Sequence, residues 1–146
     1  MHAHAENLLD LLLRRFREAE IAPPAPLTVL AGPHIGRSSG LPTPRLAVAF
    51  TGTTRRPATL DGGVENRIAL ELSLDDAATG EESAMRRSLR WAAWIESALL
   101  PEAERDAAPL GGLAESLDPV DTAFEAGGPG LGAFTLRLRY AVTVTS

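Results

Sequence analysis

The segment that most restricts the fold is positions 134–145, where apolar and polar side chains alternate without a break. One face carries Phe134, Leu136, Leu138, Tyr140, Val142 and Val144. The other face carries Thr135, Arg137, Arg139, Ala141, Thr143 and Thr145. A period of two is typical of a β-strand with one buried and one exposed face. At about 3.3 Å per residue this strand spans about 40 Å, so we expect a central strand of an antiparallel sheet or an arm that contacts a neighbour.

The bulk composition describes an ordinary globular chain. Its 146 residues fit a single domain, 1–146, that can bury a core without disulfides. The chain contains no cysteine, which excludes disulfide frameworks, zinc sites with thiolate ligands and thiol catalysis. Its net charge of -5 argues against a general nucleic-acid-binding protein, because such proteins present a basic patch.

The charges are unevenly distributed along the chain. Residues 1–60 contain seven arginines and four acids, whereas residues 61–133 contain five arginines and fifteen acids. This acidic middle is either a solvated face or an acidic wall that faces another molecule. No segment has the roughly 18 apolar residues of a membrane helix, and residues 1–26 lack a signal-peptide pattern. We therefore expect no membrane partner and a chain that stays where it is made.

Two segments have the apolar periodicity of helices. Residues 5–20 form the first, an N-terminal helix followed by a proline-rich linker that completes segment 1–26. Residues 81–100 form the second, which begins with a capping pair, Thr79 and Glu82. The apolar stripe predicted for the second helix consists of Met85, Leu89, Ala92, Ile95 and Leu99, with Trp91 and Trp94 beside it.

The remaining apolar segments predict strands at 27–31, 45–51, 67–74 and 120–126, with a long C-terminal strand in 132–146. The second and third form a hairpin joined by a polar, protruding loop at 52–64. A short helix is expected at 113–117. Each strand has one apolar side, and two helices on one face of a sheet would bury every apolar stripe. The predicted fold is therefore α+β: a four- to five-stranded antiparallel or mixed sheet with two main helices packed on one face.

A nucleotide-binding loop is excluded. The sequence GPHIGRS at 32–38 superficially resembles a phosphate-binding P-loop, but its two glycines are one residue too close. Arg37 stands where the phosphate-binding lysine belongs, and the prolines that follow cannot open a helix.

The histidines offer little chemistry. We expect His2 and His4 to lie at a frayed terminus, and zinc would need three histidines or carboxylates from distant loops. His34 could act with Ser38 or Ser39, but neither serine has the sequence of a nucleophile elbow.

The paired carboxylates are equally uninformative. Asp75 with Asp76, and Glu81 with Glu82, are expected in polar turns where nothing would raise a pKa for acid catalysis. The sequence therefore predicts no enzyme, no catalytic residue, no cofactor and no metal site. A small enzyme that uses His34 remains an alternative, as does a protein-binding module that uses the sheet face.

The order of the parts resembles the tail-terminator proteins of long-tailed bacteriophages, the lambda-type minor tail proteins that cap the tail tube. Four segments carry the resemblance: LLDLLLRRF at 8–16, PRLAVAFTGTTRRPATLDGGVENRIALELSL at 44–74, GEESAMRRSLRWAAWIESALLP at 80–101 and FTLRLRYAVTV at 134–144. They are similar to the family's first helix, its two strands with the loop between them, its second helix and its last strand.

This resemblance implies a structural virion protein without cofactors: a homo-oligomeric ring, a hexamer, that stops tail-tube growth at the head-proximal end of the tail. The resemblance also implies assembly in the host cytoplasm. Its partners would be copies of itself, the tail-tube protein and a neck or head-completion protein, and DNA would pass through the lumen without specific binding. Arg55, Arg56, Arg137 and Arg139 are the expected subunit or tube contacts. The same resemblance also allows an alternative, a neck or head-completion protein of a phage, gene-transfer or injection particle.

Overall fold

A computed structural model describes residues 2–34, 43–57, 63–78, 83–104, 108–127 and 132–145. The main elements are, in chain order, α1 (His2–Arg17), β1 (Thr28–Ala31), β2 (Arg45–Pro57), β3 (Val64–Ala77), α2 (Ala84–Leu99), β4 (Ser116–Ala126) and β5 (Ala133–Thr145). The five strands form one sheet in the order β1-β2-β3-β5-β4. β1 runs parallel to β2, and all other neighbours are antiparallel. This is the α+β architecture that the sequence predicts.

β5 lies between β3 and β4, so of the two alternatives that its length left open, the central strand is the one observed. It pairs with β3 from Glu65 opposite Thr145 to Ala77 opposite Ala133. Its apolar face is buried over its full described length, from Phe134 at 0% exposure to Val144 at 5%. A strand flanked on both sides is the least free to shift, because a slip by one residue would turn this whole face to solvent.

The core lies between the apolar sheet face and the two helices. From α1 it takes Leu8, Leu12 and Phe16, which are buried at the three- and four-residue spacing of a helix. From α2 it takes the two tryptophans, whose rings meet edge to face at 5.8 Å. Both helices therefore cover the same face, and no helix among the described residues covers the opposite face.

The apolar stripe predicted for α2 is wrong at its N-terminal end. Met85 and Leu89 are 49% and 62% exposed. The helix is instead rotated so that Trp91 is completely buried, and the Trp91 indole donates to Asp76 at 2.8 Å. Burying two tryptophans removes more apolar area from water than burying a methionine and a leucine, so the tryptophans decide which face turns inward.

The helix ends also differ from the prediction. α1 begins at His2, and the His4 ring is hydrogen-bonded to the Leu113 carbonyl oxygen at 2.8 Å, so His4 is anchored rather than frayed. Ser83 is the N-cap of α2, and its side chain accepts a hydrogen bond from the Arg86 backbone N–H at 3.0 Å. The predicted capping pair, Thr79 and Glu82, lies outside the described residues.

Two predicted irregular regions have a different structure. Residues 52–57 continue β2 and Val64 begins β3, so most of the predicted loop 52–64 is a long hairpin, and residues 58–62 lie outside the described part. The helix expected at 113–117 is absent: a 3-10 turn at Leu110–Gly112 precedes Ser116, where β4 begins. The positive φ angles at positions 110–112 prevent a helix from continuing there.

Candidate functional site

The hairpin of β2 and β3 extends beyond the part of the sheet that β1 covers. We call residues 49–57 of β2 and 64–69 of β3 the arm. β1 pairs with β2 only as far as Val48, so no described strand flanks the outer edge of β2 beyond that point. All of residues 51–57 are exposed. An unpaired edge of this length leaves backbone N–H and C=O groups available to another chain.

Arg55 and Arg56 lie on opposite faces of the arm. Arg55 is opposite Asn66 in the ladder, on the face that carries the core further along β3, and Arg55 itself is exposed. Arg56 is opposite Glu65 on the other face, and its guanidinium donates to the Glu65 carboxylate at 2.7 Å and 3.0 Å. Because 62% of the Arg56 side chain is still exposed, a partner can reach both arginines.

Arg137 and Arg139 lie on the sheet face that the helices leave uncovered, which we call the open sheet face. Glu71 on β3 lies between them, 4.0 Å from the Arg137 guanidinium and 3.5 Å from that of Arg139. On the β4 side, Arg137 contacts Glu125 at 2.7 Å and Arg139 contacts Asp121 at 3.3 Å. These contacts form a three-strand ion-pair network, which holds both arginines in place while leaving them partly exposed.

The four arginines that the sequence singles out do not form one cluster. Glu65, the partner of Arg56, and Glu71, the partner of Arg139, are six residues apart on β3, or about 20 Å along the strand. The structure therefore places Arg56 on the open sheet face with Arg137 and Arg139 but well separated from them, and Arg55 alone on the opposite face of the arm.

Beyond the ion-pair network, the open sheet face carries a buried polar cluster that the sequence did not reveal. Asp75 is 1% exposed and accepts a hydrogen bond from the Thr135 hydroxyl at 2.6 Å. The buried Arg45 guanidinium lies 3.3 Å from the same carboxylate, and the His34 ring lies 2.7 Å from it. The cluster joins β2, β3 and β5 to the loop after β1. Asp75 and Asp76 thus lie in a buried part of β3, not in the polar turn that the sequence suggested.

Asp75 is the ionised centre of this cluster. Burial raises the pKa of Asp75. The opposing effects are together larger: the hydrogen bond from Thr135, the hydrogen bond and charge of His34, and the charge of Arg45. The pKa therefore lies below its ordinary value of 3.8. The Thr135 hydroxyl and the His34 ring both contact the same Asp75 carboxylate. Ser38 and Ser39, the two candidate nucleophiles, lie outside the described residues. The geometry is that of a structural clamp.

A groove lies where the ends of α1 and α2 meet. Its volume is about 510 Å³, within the usual range of ligand and peptide-side-chain sites. Its lining consists of Arg15, Glu18, Ala19, Glu20, Ile21, Trp94, Ser97, Ala98, Leu100, Pro101, Glu102 and Glu104. Within the described ranges no group of three histidine or carboxylate side chains could hold a metal ion. Those ranges also contain no helix that is long and apolar enough to span a membrane.

The features above define a class of architecture: a two-layer α+β domain with a hairpin arm and one sheet face without helices. A chain in the structure described as the virion of native gene transfer agent (GTA) particle has the same fold, with a TM-score of 0.65 over 100% of both chains. The two sequences are 13% identical, so the likeness establishes a shared fold. No protein-family model matches the sequence. No curated protein matches it either.

Proposed function

We propose that this chain is a structural subunit of a phage-like particle that caps the tail tube as a homo-oligomeric ring. In this role it stops tail polymerisation and forms the surface to which the head or neck is joined. The sequence resemblance to tail-terminator proteins and the fold shared with a virion chain of a gene transfer agent both support the proposal.

The observation that carries the proposal is the arm. Its outer strand runs nine residues beyond the end of β1, with every described side chain from 51 to 57 exposed. A lone monomer gains nothing from such an edge, since natural proteins shield edges of this kind to avoid unwanted pairing. A neighbouring subunit would cover it. Because the arm is at one place and its receiving surface at another, the contact is heterologous, and such contacts form rings when the rotation closes.

The four arginines have separate roles in this proposal. Arg55 and Arg56 on the arm contact the neighbouring subunit. Arg137 and Arg139, already oriented by their ion pairs, present a charged surface to the tube or to an adjacent subunit. The acidic middle of the chain supports a lumen that repels DNA phosphates and lets DNA pass without binding.

A second candidate position in the particle is the neck or head-completion ring. The observation that favours it is that the fold neighbour belongs to the virion of a gene transfer agent, which fits a neck position as well as a tail position. Both candidates require a ring, and they differ in the partner that the ring meets. Binding to purified tail-tube protein supports the tail terminator, and binding only to a head or neck protein supports the alternative.

The proposal is tested by measuring mass with size-exclusion chromatography and light scattering, with and without the tail-tube protein of the same particle. A hexamer of the 15.4 kDa chain has a mass of about 92 kDa. We expect this mass either for the protein alone or after tube protein is added. A protein that stays monomeric under both conditions would refute the ring.

The arm is better tested by substitution than by deletion. Removing residues 53–63 would join Gly52 to Val64, but Gly52 lies opposite Ala69, about 17 Å from Val64 along β3. Such a deletion would distort β3 itself. Arg55→Glu with Arg56→Glu keeps the backbone and should abolish assembly. Arg67→Glu with Arg86→Glu changes the charge equally at exposed positions away from the groove and should assemble normally.

A further inference from the structure

The groove between the helix ends has an apolar floor that is open to solvent. Ile21 is 65% exposed there, although it is one of the chain's large apolar side chains. Its backbone carbonyl accepts a hydrogen bond from the Trp94 indole at 2.8 Å, which holds the segment after α1 against α2. Leu100 and Pro101 continue the apolar surface along the other side. The Trp94 hydrogen bond thus joins the two helical sides of the groove.

The rim of the groove is acidic. Glu18, Glu20 and Glu102 are exposed, and among the described residues none of them forms an ion pair. The single arginine in the lining, Arg15, is already used: its guanidinium forms an ion pair with Glu104 and donates to the Leu99 carbonyl at 2.9 Å. The groove thus has three negative charges without a partner around an apolar floor.

The arm has the complementary charge. Its described residues include Arg55, Arg56 and Arg67 but only one acid, Glu65, which is paired with Arg56. Arg55 is exposed and forms no ion pair within the described residues. The arm belongs to the sheet layer and the groove to the helical layer, so an arm and a groove can meet between two copies in a head-to-tail arrangement.

We propose that the groove between the ends of α1 and α2 receives the arm of a neighbouring copy, with Arg55 at the acidic rim. The inference rests on the proposed ring and specifies its subunit contact. Each copy gives one arm and receives one, which is the repeating contact that a closed ring requires. The opposite charges select this register and disfavour an arm-to-arm contact.

The test reverses the charges on each side and then on both. Arg55→Glu should raise the concentration needed for assembly about tenfold, and Glu18→Arg with Glu20→Arg should do the same, because opposite charges become like charges. Combining the three changes should restore assembly to within about threefold of the parent, as coupled sites are non-additive. Arg67→Glu is the matched control, since Arg67 is on the same arm but on the opposite face.

A cross-link provides a second readout. The chain has no cysteine, so Arg55→Cys combined with Glu20→Cys introduces the only two thiols. Because the proposed contact places Arg55 at the rim, oxidation of the assembled protein should give a ladder of linked chains that ends at the ring number, and an assembled protein that gives no ladder would overturn the contact. Arg67→Cys with Glu20→Cys should give no ladder.

The outcomes separate the two proposals. If the parent protein stays monomeric even with tube protein, the ring and the docking contact are both overturned. If the parent assembles, but the charge-reversed rim behaves like the parent or the combined variant is not rescued, the ring stands and docking in the groove is overturned. Circular dichroism on each variant shows that a loss of assembly is not a loss of fold.

Discussion

Asp75 and Asp76 are adjacent in sequence, yet their carboxylates lie on opposite faces of β3 and stabilise opposite sides of the sheet. Asp76 accepts a hydrogen bond from the Trp91 indole at 2.8 Å, on the helical side. Asp75 accepts one from the Thr135 hydroxyl at 2.6 Å, on the open sheet face. Both carboxylates are less than 5% exposed. The alternation of a β-strand thus turns one acidic dipeptide into two separate anchors.

Replacing Asp76 should weaken the contact between α2 and the sheet. Asp76→Ala leaves the buried Trp91 N–H without an acceptor and removes the partner that Arg87 contacts at 2.5 Å. We expect a loss of about 2–4 kcal/mol in the free energy of unfolding. Urea unfolding followed by tryptophan fluorescence measures it. Asp76→Asn retains an acceptor oxygen and should lose less, so equal losses would contradict this role.

The Asp75 cluster should make stability depend on pH in the acid range. The pKa of Asp75 in the folded state lies below its ordinary value of 3.8, so the folded state binds a proton less readily than the unfolded state. This contribution is fully present above about pH 4 and is lost as the pH falls through the folded pKa. As the pH is lowered through this range, the urea concentration at the midpoint of unfolding should fall more steeply for the parent protein than for Asp75→Asn. Parallel curves would contradict the prediction.

The pKa of the Tyr140 hydroxyl should differ between the folded and the unfolded protein. Burial against the helices, and the nearby charge of Glu96, raise the pKa of Tyr140 to about 12. Because this is above the unfolded value of about 10, the contribution to stability is present below pH 10 and is lost as the pH rises through 12. Tyr140 is the only tyrosine, so the absorbance of tyrosinate follows one group. If the tyrosinate absorbance of the folded protein rose near pH 10, as is expected for the protein unfolded in urea, the burial of Tyr140 would be contradicted.

Gly132 should not tolerate a side chain. Gly132 directly precedes β5 and its φ is +63°, and a Cβ atom there would lie 2.8 Å from the carbonyl oxygen of Ala78, which directly follows β3. We expect Gly132→Ala to cost about 1–3 kcal/mol through backbone strain and this close contact. Gly52→Ala is the control, because a Cβ there has nothing within 4 Å and the backbone needs no positive φ. Thermal unfolding of the two variants compares them directly.

Strictly local patterns were sufficient for the fold class. The alternation from Phe134 to Val144 predicted the long strand, and the spacing of Leu8, Leu12 and Phe16 predicted the first helix and its buried face. Both signals arise from backbone periods of two and 3.6 residues, which any window of the sequence displays. The two predicted layers followed because every apolar stripe needs a partner.

The register between distant segments was decided only by the tertiary structure. The alternation around Asp75 gave no sign that Arg45 and Thr135 stand opposite it in the sheet, since that depends on which strands pair and in which register. The rotation of α2 was likewise set by Trp91 reaching Asp76 across the core. The polar segment 52–57 read as a loop because an exposed strand has no apolar face to mark it.

The sequence by itself therefore determined where apolar surface must be buried, because periodicity is a property of neighbouring residues along the chain. The tertiary structure alone decided which polar groups meet: the Asp75 clamp, the ion pairs of Arg137 and Arg139, and the exposure of the arm beside an acidic groove. Such groups are brought together by strand order and packing, and the energy that pairs them acts between residues far apart in the chain.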